Sequence, residues 1–472
     1  MSRAPASALA LVTTLALTFT IGACDEDPPA TQPTDALTAE GGVLRDAEGR
    51  ELLLRGINAR VEGIFDVTFD DGRVALEPIP PFDEQDCKFI AEELGMNHLR
   101  LPVNWSALEP ERGHYDDAQV DKILAVAEAC ARHDVHTLID LHQDAYSKEI
   151  GEDGAPLWAI VPPPTELLEG PLEDLGERRK SAQVLDAFDS FFNDREGVQS
   201  AYVDMAAWLA SRIAGKPGVL GLELMNEPVL IIFEPRLDDF HDRVAAAVRQ
   251  EAPSLTLFFE PNSFRNLTDQ YDVRRPVAFD DAVYAPHVYV DVFEDGWASR
   301  DVSKIVDSVA GIREEADAFH ASPYVGEFGS GVDELGLAYD RAALEVFDDA
   351  RVSSAFWVYE EWSQGGWGLY DTSVDGTRGA LREPVADVLA RAYPAVIDGH
   401  LESFDFDEEA RTLTVHVTGW RGRPHVLAAP HRSYPNGVRV TCDGVEVDAI
   451  AQAGRVLVAC PGTTIVLSPL GA

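Results

Sequence analysis

Positive charge is scarce in this chain. Lys and Arg together number 38 against 82 Asp and Glu, a formal net charge of −44 over 472 residues. A field of that sign repels phosphate backbones and anionic lipid surfaces, so nucleic acid is not an expected partner. Its plain reading is solubility or a salty habitat rather than substrate steering. Cysteine is rarer still, at five, and no Cys or His spacing resembles a zinc site. HExxH and GxSxG are missing, and with them the usual metalloprotease helix and nucleophile elbow. No GxGxxG or Walker loop follows any strand-like run, which counts against nucleotide binding. Beyond the N-terminal segment, no apolar run approaches the ~20 residues of a membrane-spanning helix.

What the chain does have is apolar bulk. Hydrophobic residues make up 46% of it, enough for a sizeable core, and the length suits one large barrel with a smaller module. At the N-terminus, Arg3 precedes the apolar stretch ALALVTTLALTFTIGA (8–23), the pattern of an export signal. It ends in Ile21-Gly22-Ala23-Cys24, which resembles a bacterial lipobox. That resemblance implies a signal over residues 1–24 and a lipid-modified Cys24 anchoring an exported protein to a membrane. The acidic, Pro-rich DEDPPATQPTDAL (25–37) reads as part of a disordered tether, residues 25–39. Export implies an oxidising compartment. Cys442 and Cys460 lie close together in a β-rich region, where they would staple a hairpin-like unit. Cys87 and Cys130 fall on two consecutive helix-like runs. Four cysteines allow three connectivities.

Eight short β-rich runs alternate with helix-period segments. The runs are LLLRGIN (52–58), MNHLRLP (96–102), VHTLIDL (135–141), VLGLELM (219–225), LTLFFE (255–260), AVYAPH (282–287), PYVGEF (323–328) and SAFWVY (354–359). Segments such as DEQDCKFIAEEL (83–94) and VDKILAVAEACARH (120–133) lie between them. Eight β-then-α repeats predict an α/β fold, a (β/α)8 TIM barrel over residues 40–394. From residue 395 to 472 helical runs give way to short alternating strands such as RTLTVHV (411–417) and RVLVAC (455–460), the texture of a β-sandwich.

Polar residues cluster where a barrel carries its chemistry. Asn58, Arg100, His142, Asn226, Glu227, His287, Glu327 and Trp357 all lie at or near the C-terminal end of a predicted strand. Singly, each has a structural reading; Asn58 can close a turn, and Arg100 can satisfy a buried carboxylate. Jointly they describe the active face of a TIM barrel. Met225-Asn226-Glu227-Pro228 and Gly326-Glu327-Phe328-Gly329 present two glutamates from separate strands. Glycosidic cleavage needs two such carboxyls, one to protonate the departing oxygen and one to attack the anomeric carbon. In a retaining pair, the ionised nucleophile is expected to keep the acid protonated near neutral pH.

At these motifs the chain resembles glycoside hydrolase family 5. His142-Gln143-Asp144-Ala145-Tyr146-Ser147 and Gly154-Ala155-Pro156-Leu157-Trp158 are similar to its endoglycoceramidase branch, as are Phe191-Phe192-Asn193 and Gly197-Val198-Gln199. With Tyr434-Pro435-Asn436-Gly437 the resemblance reaches into the sandwich. It implies a retaining hydrolase that releases the glycan of a glycosphingolipid from ceramide, with Glu227 as acid/base and Glu327 as nucleophile. It implies sugar contacts for His142, Asp144 and Asn226, a floor from Trp357, a cleft wall from Trp158, and Tyr289 near the nucleophile with His287 beside it; with Arg100, from its strand-end position, these are the expected substrate-binding residues. Neither metal nor organic cofactor is required. The loop 58–63 departs from the branch's pattern of a sugar-contacting basic residue, and Arg60 is the residue available for that task. Val229-Leu230-Ile231-Ile232-Phe233, directly after the acid, is apolar enough to wall a lipid aglycone. The competing readings are a family 5 enzyme acting on another β-glucoside or polysaccharide, and a non-catalytic surface glycan-binding protein. A monomer is expected.

Overall fold

The computed structural model describes residues 1, 37–173, 175–230, 235–362 and 367–471. The export segment, Cys24 and all but the last residues of the tether lie outside them. The eight predicted strands form a closed parallel barrel. Its strands are β1 (Arg55–Asn58), β2 (His98–Asn104), β3 (His136–His142), β4 (Val219–Glu223), β5 (Leu257–Phe259), β6 (Ala282–Tyr284), β7 (Ser322–Phe328) and β8 (Ser353–Phe356). β1 to β8 follow one another around the ring, and β8 closes on β1. The longest pairing runs from His98 opposite His136 to Asn104 opposite His142. It carries both strands to the same C-terminal rim.

Helices cover the outside because their apolar stripes need the barrel. α1 (Glu84–Glu92) opens on a capping box in which Asp83 accepts from the first turn and the Asp86 side chain answers the cap. α2 (Asp117–Ala131) is capped by Asp116, which accepts from the Ala118 and Gln119 amides. Such caps satisfy amides that the helix leaves unpaired, for about 1 kcal/mol each. Cys87 on α1 and Cys130 on α2 face each other and form a disulfide across 43 residues. Closing a loop of that length restricts the unfolded chain by on the order of 4 kcal/mol. Among the described residues no helix is long and apolar enough to cross a membrane.

The C-terminal module is a two-sheet β-sandwich, and it starts earlier than the sequence indicates. Thr38–Glu40, Val43–Arg45 and Glu51–Leu52 join Pro394–Ile397, His425–Ala428, Ala449–Gln452 and Arg455–Val458 in one seven-stranded sheet. The run 52–58 is therefore split: Leu52 pairs with Val396, and Arg55–Asn58 enters the barrel. The physical reason is a shared core. Leu44, Leu52 and Leu54 pack with Leu138, Leu220, Phe258 and Tyr324. The N-terminal hairpin thus helps to plug the barrel's lower end. Cys442 and Cys460 do pair, but not within one hairpin. Cys442 ends a strand of the five-stranded sheet, and Cys460 follows the Arg455–Val458 strand of the seven-stranded one.

Candidate active site

Arg100 is the hub. It rises from the middle of β2, fully buried, and reaches side chains at the ends of five other strands. Its Nε donates to Glu223 on β4 at 2.7 Å. One terminal nitrogen donates to Asn58 on β1 at 2.9 Å and to Glu327 on β7 at 2.7 Å. The other donates to Asn226 after β4 at 2.8 Å and to Glu260 after β5 at 3.3 Å, and lies 3.1 Å from Asp140 on β3. A guanidinium offers five N–H donors in a fixed fork, the geometry that such a ring of acceptors requires. Burial pushes the Asp140 carboxyl up to about 6, with Arg100 pulling against it.

Glu327 is thereby gripped at both oxygens. Oε1 accepts from Arg100, and Oε2 accepts from the Tyr289 hydroxyl at 2.8 Å. Glu227 stands opposite, in a left-handed backbone conformation at φ 38°. Its Oε1 accepts from Asn266 Nδ2 at 2.8 Å and meets His287 Nδ1 at 2.8 Å. The same Nδ1 is 3.4 Å from Glu327 Oε2, and carboxyl oxygens of the two glutamates lie within 4.8 Å of each other.

The protonation of this group differs from the sequence-based expectation. Burial opposes a charge on His287, but Glu260, Glu327 and Glu227 overcome it and hold the imidazole well above its usual value. Burial likewise raises Glu227, yet the bond from His287, its charge and that of Arg179 prevail and bring Glu227 down to about 2. In the resting site the proton expected on Glu227 is therefore held by the Glu227–His287 pair, across their 2.8 Å contact. The nucleophile's repulsion is outweighed by a nearer cation.

His142 closes the other side of the site. Its Nδ1 contacts Asp140 Oδ2 at 2.6 Å, and its ring stacks on Trp357 at 5.6 Å. Burial lowers its pKa to about 4, so it is a neutral imidazole. Asn226 faces His142 Nε2 at 3.5 Å and donates to the Gln143 carbonyl.

A cleft of about 630 Å³ opens above these groups. His142, Asp144, Asn226, Glu227, Tyr289, Glu327 and Trp357 line it; Arg100 and His287, expected to bind substrate, are instead fully buried and act from behind, held there by the carboxylates around them. Trp158 does not line it. Its Nε1 donates to the Glu109 carbonyl at 3.1 Å and its ring packs edge-on against Trp105, so the indole braces a loop outside the cleft. Arg60 is also withdrawn. It is buried against Glu77 and Glu361, and its guanidinium lies over the Phe65 ring and beside Trp357. Of the apolar loop, Val229 lines the cleft and Leu230 is buried; Ile231, Ile232 and Phe233 lie outside the described residues. Sequence reasoning missed Glu223, Glu260, Asn266 and Arg179. Arg179 grips Asp144 from the cleft wall, with Nε donating to Oδ1 at 2.7 Å. The charges at 223 and 260, inside or ending apolar strands, were a readable signal; position 179 gave none. Three aromatics, Phe264, Phe293 and Trp367, also line the cleft unforeseen.

Residues 46–363 match the family described as cellulase (glycosyl hydrolase family 5), and residues 391–464 match the family 5 C-terminal domain. The chain belongs to glycoside hydrolase family 5. Within that family it is 27% identical to endoglycoceramidase I of Rhodococcus hoagii (strain 103S) over 464 residues, 92% of this chain and 88% of the relative. It is 23% identical to an endoglycoceramidase of Cyanea nozakii, over 69% of this chain and 70% of that one. Its fold matches a crystal structure of an endogalactoceramidase with TM-score 0.77 and 25% identity, over 93% of this chain and 100% of the other. The lactosyl-enzyme intermediate of endo-glycoceramidase II from Rhodococcus sp. matches with TM-score 0.75 and 22% identity, over 90% and 99%.

If Arg100 is what allows the family 5 site to hold its carboxylates, Arg100→Met should cost about 3–5 kcal/mol of folding stability at pH 7. The loss should shrink on acidification. Without Arg100 the Asp140 and Glu260 carboxyls, already raised by burial, rise further above their unfolded values, and such groups withdraw stability as pH climbs through their folded pKa. Denaturant unfolding from pH 7 down to about 4, near the unfolded Asp value, checks this. A deficit that stays constant across that range would contradict it.

Proposed function

We propose that this chain is a retaining glycosidase that cleaves the β-bond between the glycan and ceramide of glycosphingolipids. The observation that carries the reaction class is the spacing of Glu227 and Glu327, whose carboxyl oxygens approach within 4.8 Å. Retaining enzymes place their carboxyls about 5–5.5 Å apart; inverting ones leave about 6.5–9.5 Å for a water. Glu327, oriented by Arg100 and Tyr289, is the nucleophile that bonds to the anomeric carbon. Glu227 delivers the proton to the departing oxygen, then takes one from the water that releases the glycan. His142, Asn226 and Trp357 form the polar rim and apolar floor for the sugar that is cleaved.

The lipid part of the reading is supported by the cleft's aromatics and by the endoglycoceramidase relatives. Phe293 and Trp367 stack at 6.0 Å, and Phe293 and Phe264 remain 56% and 45% exposed. Burying one such side chain against an alkyl chain is worth roughly 1.5–3 kcal/mol. That arrangement suits the alkyl chains of ceramide.

Incubation with a panel of glycosphingolipids and β-glucans, with products weighed by mass spectrometry, tests the assignment. Free ceramide with an intact oligosaccharide is expected; cleavage of β-glucans alone would replace the substrate, and no cleavage of any member would remove the activity. Glu327→Gln should abolish turnover of every substrate. Glu227→Gln should lose far more on ceramide-linked substrates than in the first step on an activated aryl glycoside. Equal loss on both would overturn the acid assignment.

We further infer that the protein is exported and tethered through a lipid on Cys24, a reading supported by the segment 8–24. Cleaved signals alone leave no membrane attachment. Cys24→Ser should move the protein from the membrane to the soluble fraction with its catalytic rate intact, and unchanged partitioning would contradict the anchor.

A further inference from the structure

Behind the two glutamates that face the cleft stands a third. Glu260 follows β5 and is buried; its Oε1 lies 3.3 Å from His287 Nε2 and 3.3 Å from an Arg100 nitrogen. His287 is fully buried between Glu260 and Glu227, with one ring nitrogen toward each. We propose that Glu260 is a positioning residue for the reaction: it fixes the proton inventory of the Glu227–His287 pair from the side away from substrate.

Nδ1 meets Glu227 at hydrogen-bond distance, while Nε2 faces Glu260 at ion-pair distance without a hydrogen bond to it. An imidazole flanked by an acceptor on each side is stabilised with both nitrogens protonated. The charged groups that face His287 come from several strands. Glu227 follows β4, Glu260 follows β5 and Glu327 ends β7, with Arg100 beyond Glu260 and Glu327. With Glu223 on β4, which has a carboxyl oxygen within 4.8 Å of the ring, four carboxyl groups surround His287, so the balance favours its cation. Arg179 from the cleft wall and Asp140 on β3 add their fields. Burial, with Glu223 adding to it, holds the Glu260 carboxyl well above its usual value against the pull of His287 and Arg100.

Rested on the roles proposed for Glu227 and Glu327, the proton balance is simple. In the first step the proton shared between Glu227 Oε1 and His287 Nδ1 leaves on the aglycone oxygen. The anomeric carbon's bond to that oxygen breaks as its bond to Glu327 forms. In the second step water bonds to the anomeric carbon, the Glu327 ester breaks, and the water's proton returns to the pair. Glu260 exchanges no proton with substrate. As pH rises Glu260 ionises, and its negative charge then keeps the pair loaded at alkaline pH.

The test is the pH profile of kcat/KM for Glu260→Gln against the wild type, on a substrate with a poor leaving group. Removing the negative charge makes the pair easier to deprotonate, so the alkaline limb should move down by about one pH unit or more. A limb at the wild-type position, whatever the drop in absolute rate, would reduce Glu260 to packing and overturn the proposal. A wild-type chain inactive on every glycoside would overturn the roles of Glu227 and Glu327, and this proposal with them. Should Glu260→Gln fail to fold, 15N NMR of histidine-labelled wild type gives an independent reading. Both ring nitrogens of His287 should carry protons at pH 8, and an Nε2 without one would contradict the assignment.

Discussion

One buried cation holds the active face of this barrel together. Arg100 lies within 3.3 Å of carboxylates from β3, β4, β7 and the end of β5, and also binds Asn58 and Asn226. Like-charged groups packed this closely inside a protein repel one another by several kcal/mol even at a generous effective dielectric. The guanidinium turns that repulsion into a set of fixed bonds. Fixing them fixes the strand ends, and the strand ends carry Glu227 and Glu327. An Arg is needed here rather than a Lys because the acceptors are spread in a plane around five N–H groups.

A second cation divides the same negative charge differently. Arg100 binds the nucleophile and the acids beneath it; His287 binds Glu227 and stands between it and Glu260. Of the two, His287 alone can lose its charge in an accessible pH range. The permanent charge therefore sits under the group that must stay ionised to attack. The titratable one sits beside the group that must give up and regain a proton. Tyr289, donating to Glu327 from two residues beyond His287, completes the separation of roles.

Much of this was legible in the chain, for a physical reason. Parallel strands buried on both faces read as apolar runs, and in a barrel the chemistry gathers at their C-terminal ends, so Asn226, Glu227, His287 and Glu327 announce themselves by position. What a sequence does not carry is direction across space. Trp158 sits in a motif similar to the family's, yet its indole turns toward Trp105 and the Glu109 carbonyl. Arg60 lies in the expected loop but is claimed by Glu77 and Glu361. The ionisation of Glu227 depends on distances to His287 and Arg179, which come from different strands and a distant loop. The strands at 38–45 were missed because they are short, and Leu52 was assigned to the wrong sheet because its partner is the distant strand Pro394–Ile397.

The central claim is that Glu227 and Glu327 act as a retaining pair held in place by buried cations. The most direct measurement is the stereochemistry of the first product. In 1H NMR of an aryl β-lactoside mixed with enzyme, the β-anomer of free lactose should appear first and only later mutarotate to the α-anomer. Initial appearance of the α-anomer would mean a single inverting displacement, and the account built on the close approach of the two carboxyls would be wrong.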